Sequence, residues 1–355
     1  MIKRFNVALT YNVKPIESSL ENFDDSSSSS HPNTSLYNDT YAEWDNYETI
    51  YAIRDALKLH HDVTLVEADE DAYEKFRQLK PDIVFNVSEG INGLSREAQI
   101  PAMLDMLKIP YTGSDPLTLT TCLNKARTKE VLTYHGISNS KFVVSFGEDG
   151  FAGEQLKFPL IIKPIAEGSS KGIFNSSFVN DHKSLIQVLE ENVVKYNQPF
   201  IVEEYLPGRE FTVALIGNEN EIEVLPIVEM NFSELPKDMI PIYSYEAKWI
   251  LDTREDPLDI FSCPAHLDAE LEKNIRETAI KTFKVLNCRD WCRIDIRLDG
   301  FNNPNVIEVN PLPGVLPQPE DNSCFPKAAR AAGYNYEQMI NRVLLSAAKR
   351  YGLLN

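Results

Sequence analysis

The chain has 355 residues, enough for two or three domains with substantial cores, and 43% of them are hydrophobic. A formal net charge of −18 argues against a nucleic-acid or anionic-membrane partner and leaves small metabolites as the natural ones. The five cysteines are an odd number in a large chain, Cys288 and Cys292 lack the second matching pair a zinc site needs, and their apolar neighbours favour reduced core thiols.

No signal-like apolar stretch precedes the first strand and no run approaches a membrane span, so a cytoplasmic location is expected. Phe5 to Leu9 reads as a short buried strand. The Ser-rich stretch near 17–40 has almost nothing to bury and reads as a mobile lid or as a passive insertion. Tyr41 to Leu59 carries helical spacing through Tyr47, Ile50, Tyr51, Ile53, Ala56 and Leu57. VTLVEA, a helix to Leu79, and DIVFNV continue the alternation. Strand and helix in turn predict an open, Rossmann-like parallel sheet whose ligands gather at the strand carboxyl ends. Glu89, Ser95, Arg96 and Glu97, just after the third strand, fall at that edge. A helix with Ile100, Met103, Leu104 and Leu107 packs back on the sheet. IPYTGSDPLTL reads as a short strand with a Gly-Ser turn, and a first domain of residues 1–114 ends near Ser114.

From Asn124 a helix runs to a C-cap at Gly136, and KFVVSF and FPLIIKP read as strands. Lys163 sits inside the second of these. A buried ammonium is costly unless paired or facing an anion, so this lysine reads as ligand-facing. The Gly/Ser loop AEGSSKGIF follows, and its N–H groups suit phosphates, although it lacks the Walker spacing and many hairpin loops share its composition. Ser184 to Val194 reads as a helix. PFIVEEYLPGREFTVALIG reads as two strands around a hinge at Pro207 and Gly208, crowded by Glu203, Glu204 and Glu210. These are either an exposed acidic strand end or acceptors for an adenine amino group and ribose hydroxyls. Short strands and loops from Leu225 to Cys263, a helix from DAELEK, and one closing helix from AARAAG complete the tally of elements.

Between the last two helices lies RIDIRLDGFNNPNVIEVNPLPG, which reads as a hairpin. Ile294, Ile296 and Leu298 share one face, and Arg293, Asp295 and Arg297 share the other. With the loop centred near Phe301 and Asn302, Asp295 lies opposite Glu308, about 5 Å away between Cβ atoms, and Asn310 lies opposite Arg293. Facing carboxylates repel unless a cation sits between them, and oxygen-only ligands suit Mg²⁺ completed by substrate phosphates. A solvated, charged sheet face is the plainer alternative.

In this order the pieces resemble the ATP-grasp superfamily, and within it the D-alanine–D-alanine ligase family. The resemblance rests on IPYTGSDPLTLTTCLNKARTKEVL, PLIIKPIAEGSSKGI, IVEEYLPGREFTVALI, SYEAKW and RIDIRL…VIEVNPLPG, from Ile83 onward. It implies an ATP-grasp fold of mixed α/β class behind the parallel-sheet domain, with a central unit at 115–204 and a C-terminal unit at 205–355. It implies that Lys125, Lys163 and the loop with Glu167, Ser169 and Ser170 contact ATP phosphates. Glu203 and the backbone of Glu204, Tyr205 and Leu206 would hold adenine, and Glu210 the ribose. Asp295, Glu308 and Asn310 match magnesium ligands, for two ions, with Mn²⁺ as a possible substitute. Arg293 and Gly314 match the groups that stabilise a tetrahedral intermediate, and Lys248 and Trp249 match a loop over the substrate. The implied reaction is ATP-dependent joining of a small carboxylate and an amine, the substrates expected to be amino acids, with a homodimer expected by analogy.

Departures cluster on the substrate side. ALTYNVKP and the Ser-rich insertion stand where the family has a Gly-Gly, Ser and Glu signature, and Glu43 or Glu48 would then supply the amine-holding glutamate. SEGINGLSREAQ, with Glu89, replaces a His-Gly and Glu-Asp-Gly loop, and Pro319 stands where a carboxylate-binding serine is expected. The expectation is a retained reaction on changed substrates. A regulatory ATP-binding module, or a kinase stopping at the acyl phosphate, are the alternatives.

Overall fold

The computed structural model describes residues 3–15, 39–90, 92–147, 155–237 and 239–354. All but the last two residues of the expected lid near 17–40 lie outside them. The chain opens with β1 (Asn6–Tyr11), α1 (Tyr47–Lys58), β2 (Asp62–Glu67), α2 (Ala72–Leu79) and β3 (Ile83–Asn86). The strands form a parallel sheet in the order β2-β1-β3, the alternation expected from sequence. α1 begins at Tyr47 rather than Tyr41, because the Asn46 side chain accepts the Thr49 N–H and caps the helix there. A 3₁₀ turn (Arg96–Ala98) then leads into α3 (Gln99–Leu107).

Next come α4 (Pro116–Leu123), α5 (Lys125–Tyr134), β4 (Phe142–Ser145), β5 (Leu160–Pro164), β6 (Phe178–Val179), α6 (His182–Tyr196) and β7 (Phe200–Glu204). Tyr111 alone of the expected strand pairs, bridging Val84. The PLTL that followed it is helical, because Asp115 accepts the Thr118 N–H and Pro116 suits a first helical turn. The four strands form an antiparallel sheet, β4-β7-β5-β6. Its alternation divides the side chains. Leu160, Ile162, Phe200 and Val202 pack under α6, while Lys163 and Glu203 face the other way.

The remainder is β8 (Glu210–Ile216), β9 (Glu223–Val224), β10 (Val228–Met230), a π-helical turn (Ala247–Leu251), β11 (Phe261–Ser262), α7 (Ala269–Val285), β12 (Trp291–Leu298), β13 (Pro304–Asn310), α8 (Cys324–Ala331) and α9 (Tyr336–Arg350). These strands form an antiparallel sheet in the order β11-β10-β8-β12-β13, with β9 on β8. The expected hinge is where the chain leaves one sheet for the next. A Cβ on Gly208 would lie 2.6 Å from the Leu298 backbone oxygen, so the crossing needs glycine. Phe211, Val213, Ile294, Ile296 and Leu298 bury one face of this sheet against α5 and α7. The single closing helix expected from sequence is two. Gly333 at φ +88 ends the first, and Asn335 caps the second.

Trp291 is fully buried with its ring edge-on to Phe85 and Phe325, joining the first sheet, the last sheet and α8 in one core. The five cysteines are free thiols. No helix among the described residues is long and apolar enough to cross a membrane.

Candidate active site

The polar faces of the two antiparallel sheets look at each other across a cavity of about 480 Å³, closed on a third side by residues 42–46 and by Glu89 and Glu97 of the first unit. Its register depends on one irregularity. The β12–β13 pairing runs Leu298↔Pro304, Arg297↔Asn305 and Ile296↔Val306, a register that would set Asp295 against Ile307 and turn Glu308 into the core. A bulge at that point makes Ile307 the extra residue, so Asp295 faces Glu308 and Arg293 faces Asn310, the pairing expected from sequence.

The charges on this hairpin are held in pairs. Arg293 Nη2 lies 3.0 Å from Asp295 and 3.8 Å from Glu308, and Thr212 donates to Asp295 at 2.8 Å. Lys125 Nζ lies 2.9 Å from Glu308 and also donates to the Glu167 carbonyl. Burial opposes ionisation of Glu308, yet Lys125 and Arg293 hold its carboxyl down at about 2. Asn310 Nδ2 is 3.4 Å from Glu308. No cluster of three or more His, Cys, Asp or Glu that could hold a metal occurs among the described residues. The donor set here is two carboxylates and an amide, all oxygen donors, which fits a hard divalent cation whose shell is completed by ligand oxygens.

On the opposing sheet Glu203 is 1% exposed. Ser140 donates to its Oε2 at 3.0 Å, with Lys129 at 3.4 Å and Lys163 at 3.6 Å. Burial pushes this carboxyl up, but the two ammonium groups outweigh it and hold it below the usual range. Its Oε1 is buried without a hydrogen-bond partner among the described residues. A buried carboxylate oxygen left bare costs about 1–3 kcal/mol, so a donor from a bound molecule fits it. Glu210 pairs with Arg297 at 2.8 Å, and Arg297 also donates to Tyr205 Oη at 2.5 Å. Glu204, Tyr205 and Leu206 line the same end. Lys129, Ser140, Thr212 and Arg297 were not singled out from sequence. Arg297 was visible on the polar face of its strand, but its partner lies 87 residues away.

The Gly/Ser loop arches over the cavity with Ser169 and Ser170 both at positive φ, +50 and +60. It is fastened from two sides. Trp249 Nε1 donates to the Ser169 carbonyl at 3.0 Å, and Ser170 Oγ donates to the Tyr243 carbonyl at 2.7 Å. From the first unit, the Gly168 N–H donates to Glu43, which is itself paired with Arg96 at 2.6 Å. Arg96 also reaches Glu167 at 3.2 Å. Lys14 sits 4.5 Å above the Trp249 ring. Lys248, on the π-helical turn, lines the cavity, and burial together with the nearby Arg293 lowers its ammonium to about 8.

Of the two glutamates left open from sequence, Glu43 lines the cavity, whereas Glu48 stands outside it, paired with Arg254 at 3.1 Å and Gln318 at 3.0 Å. Glu89 and Gly314 also line the cavity. Pro319 does not. It lies in an exposed 3₁₀ turn (Pro319–Asp321), and the chain after it brings the Ser323 hydroxyl to the wall, 3.1 Å from the Gly314 carbonyl. A hydroxyl therefore stands on this wall four residues after Pro319, beyond a turn whose length the sequence does not show. A larger cleft of about 1230 Å³ beside α9 contains none of the candidate residues, and its Arg342, Lys349 and Arg350 are already paired with Glu223, Glu221 and Asp290.

The family profile described as D-ala D-ala ligase C-terminus matches residues 133–345. An uncharacterized protein of Sinorhizobium fredii, y4sG, is 34% identical over 300 residues, 82% of this chain and 84% of that one. The D-alanine--D-alanine ligase of Cupriavidus pinatubonensis is 31% identical over 75% of this chain and 76% of its own. That of Thermotoga petrophila is 32% identical over 82% of this chain and 88% of its own. Among solved structures, D-alanine--D-alanine ligase from Bacillus anthracis complexed with ATP superposes with a TM-score of 0.71 at 20% identity, over 98% of this chain and 99% of that one. VanG D-Ala:D-Ser ligase from Enterococcus faecalis does so at 0.66 and 21%, over 97% and 100%. These likenesses give the fold as ATP-grasp, and with the sequence matches they make this chain a member of the D-alanine–D-alanine ligase family.

Proposed function

We propose that the protein is an ATP-dependent carboxylate–amine ligase, forming an amide bond through an acyl phosphate and releasing ADP and phosphate. The observation that carries this reading is the convergence of Lys125, Lys163, Arg293, Asp295, Glu308 and Asn310 on one cavity whose far end holds the unpartnered Glu203 Oε1. In this reading Glu203 accepts the adenine amino group, helped by the backbone of Glu204, Tyr205 and Leu206, and Glu210 accepts the ribose. Lys125, Lys163 and the loop of Glu167, Ser169 and Ser170 neutralise and enclose the phosphates. Asp295, Glu308 and Asn310 hold Mg²⁺, in two ions and replaceable by Mn²⁺, and the bound ion supplies charge neutralisation and orientation at the γ-phosphate.

A carboxylate is a poor electrophile, so its oxygen first takes the γ-phosphoryl group, with ADP leaving. The amine then attacks the acyl carbon and phosphate departs with the carboxylate oxygen. Arg293 and the Gly314 N–H stabilise the oxyanion of that step. Lys248, Trp249 and Ser323 position the substrates, while Glu43 secures the loop. The units 1–114, 115–204 and 205–355, a homodimer and a cytoplasmic location belong to the same reading. Incubation with ATP, Mg²⁺ and pooled D- and L-amino acids, followed by mass spectrometry, tests it. An ATP-dependent dipeptide-like product supports the ligase, and ATP binding with no ADP release from any pool refutes it.

A further inference from the structure

Two carboxylates on the first unit's wall are left over by that reaction. Glu89 follows β3, Glu97 lies in the 3₁₀ turn before α3, and both line the cavity. Glu97 is only 9% exposed, yet makes no hydrogen bond or ion pair among the described residues. Neither does Glu89. The guanidinium beside them is already taken, since Arg96 reaches Glu43 at 2.6 Å, Glu167 at 3.2 Å and the Ala166 carbonyl at 2.9 Å. Lys171 is 3.0 Å from Glu167, Lys125 is 2.9 Å from Glu308, and Lys14 lies against Trp249 and Asp45. Glu43 and Glu167 therefore occupy the two nearby cations, Arg96 and Lys171, and Glu89 and Glu97 face the cavity with no cation paired to them among the described residues.

Burial pushes both carboxyls up, helped at Glu89 by the neighbouring Glu97 and at Glu97 by Glu43, which takes Glu97 to about 8. A neutral side chain seated here would leave them desolvated and unpaired. With no cation beside them these carboxyls hold their protons, and they ionise when one pairs with them, so one α-ammonium would pair with one carboxylate and the other is left for a second cation. We propose that the amino acid seated against this wall carries a second cationic nitrogen on its side chain, an ammonium or a guanidinium, held between Glu89 and Glu97. This rests on the ligase reading above.

The test is ADP release and product mass for D- and L-forms of alanine, serine and valine against 2,3-diaminopropionate, ornithine, lysine and arginine. At least one dibasic amino acid should exceed the best neutral one in kcat/KM by roughly tenfold or more. Glu89→Gln and Glu97→Gln should each lower that ratio about tenfold, with melting curves checking that each variant folds. Should a variant not fold, the ranking given by the unaltered protein decides alone. Turnover confined to neutral amino acids, or a ratio that neither folded variant moves, overturns this inference while the ligase reading stands. No ADP from any combination removes both.

Discussion

At the hairpin and the antiparallel sheet each acid has its partner: Glu308 with Lys125, Asp295 with Arg293, Glu203 with Lys129 and Lys163, Glu210 with Arg297. Along the first unit's wall the acids outnumber their partners, and Glu89 and Glu97 face the cavity with none among the described residues. In the paired region the acids stand on strands, where alternation and register fix which way they face, and α5 brings Lys125 and Lys129 to them. The unpaired one is made of loops and a 3₁₀ turn, where composition can change without disturbing a sheet. The contrast matches a cavity with one end specialised for a common chemistry and another end free to select what is joined.

Four substitutions or titrations bear on that contrast, from the largest effect to the smallest. Glu308→Gln should lower Mg²⁺-dependent ADP formation by roughly 100-fold or more with the melting curve retained, because an amide is a weaker donor to a hard cation. Near-normal turnover would remove the hairpin from the reaction. Arg293→Ala should lower amide formation about 100-fold. ADP release should fall with it, because a ligase loses turnover, and ADP release by that variant at the unaltered rate would show Arg293 dispensable, as in a kinase that stops at the acyl phosphate.

Glu203→Gln should raise the KM for ATP about tenfold, since it weakens one charge-assisted acceptor and leaves Lys129 and Lys163 less well paired. An equal change in amino-acid KM would contradict the division between the two ends. The Lys248 ammonium, lowered to about 8, is charged below that pH and neutral above it. A role for the charge therefore predicts kcat/KM falling as pH rises through about 8, and Lys248→Arg should remove that limb. An alkaline limb that survives in the arginine variant assigns it to another group.

What was legible in the sequence follows the same division. Alternation and turn residues were enough for the parallel sheet, for most strands of the other two sheets though not their order, for the polar face of the hairpin and for the pairing of Asp295 with Glu308. The bulge at Ile307 that secures this pairing leaves no mark in the residue pattern, because an extra residue in a strand looks like any other. Glu203 was visible as an acidic strand end, but its dependence on Lys129 and Ser140 arises only when α5 and β4 fold beside it. The closing helix failed as a single element because Gly333 lay inside an otherwise periodic run. Pro319 misled because the turn to Ser323 is longer than the Pro-Gly exit suggested. On the first unit's wall, Glu89 and Glu97 stood at the expected sheet edge, but that they lack partners depends on Arg96 being drawn off by Glu43, more than fifty residues away.

The account's central claim is that a carboxylate oxygen of one substrate passes to the γ-phosphoryl group before the amide forms. Isotopic labelling of that carboxylate, with mass spectrometry of the released phosphate, tests it most directly. One labelled oxygen in the phosphate for each amide formed is the predicted result. Unlabelled phosphate accompanying ADP release would show that water takes the phosphoryl group, and would contradict the claim.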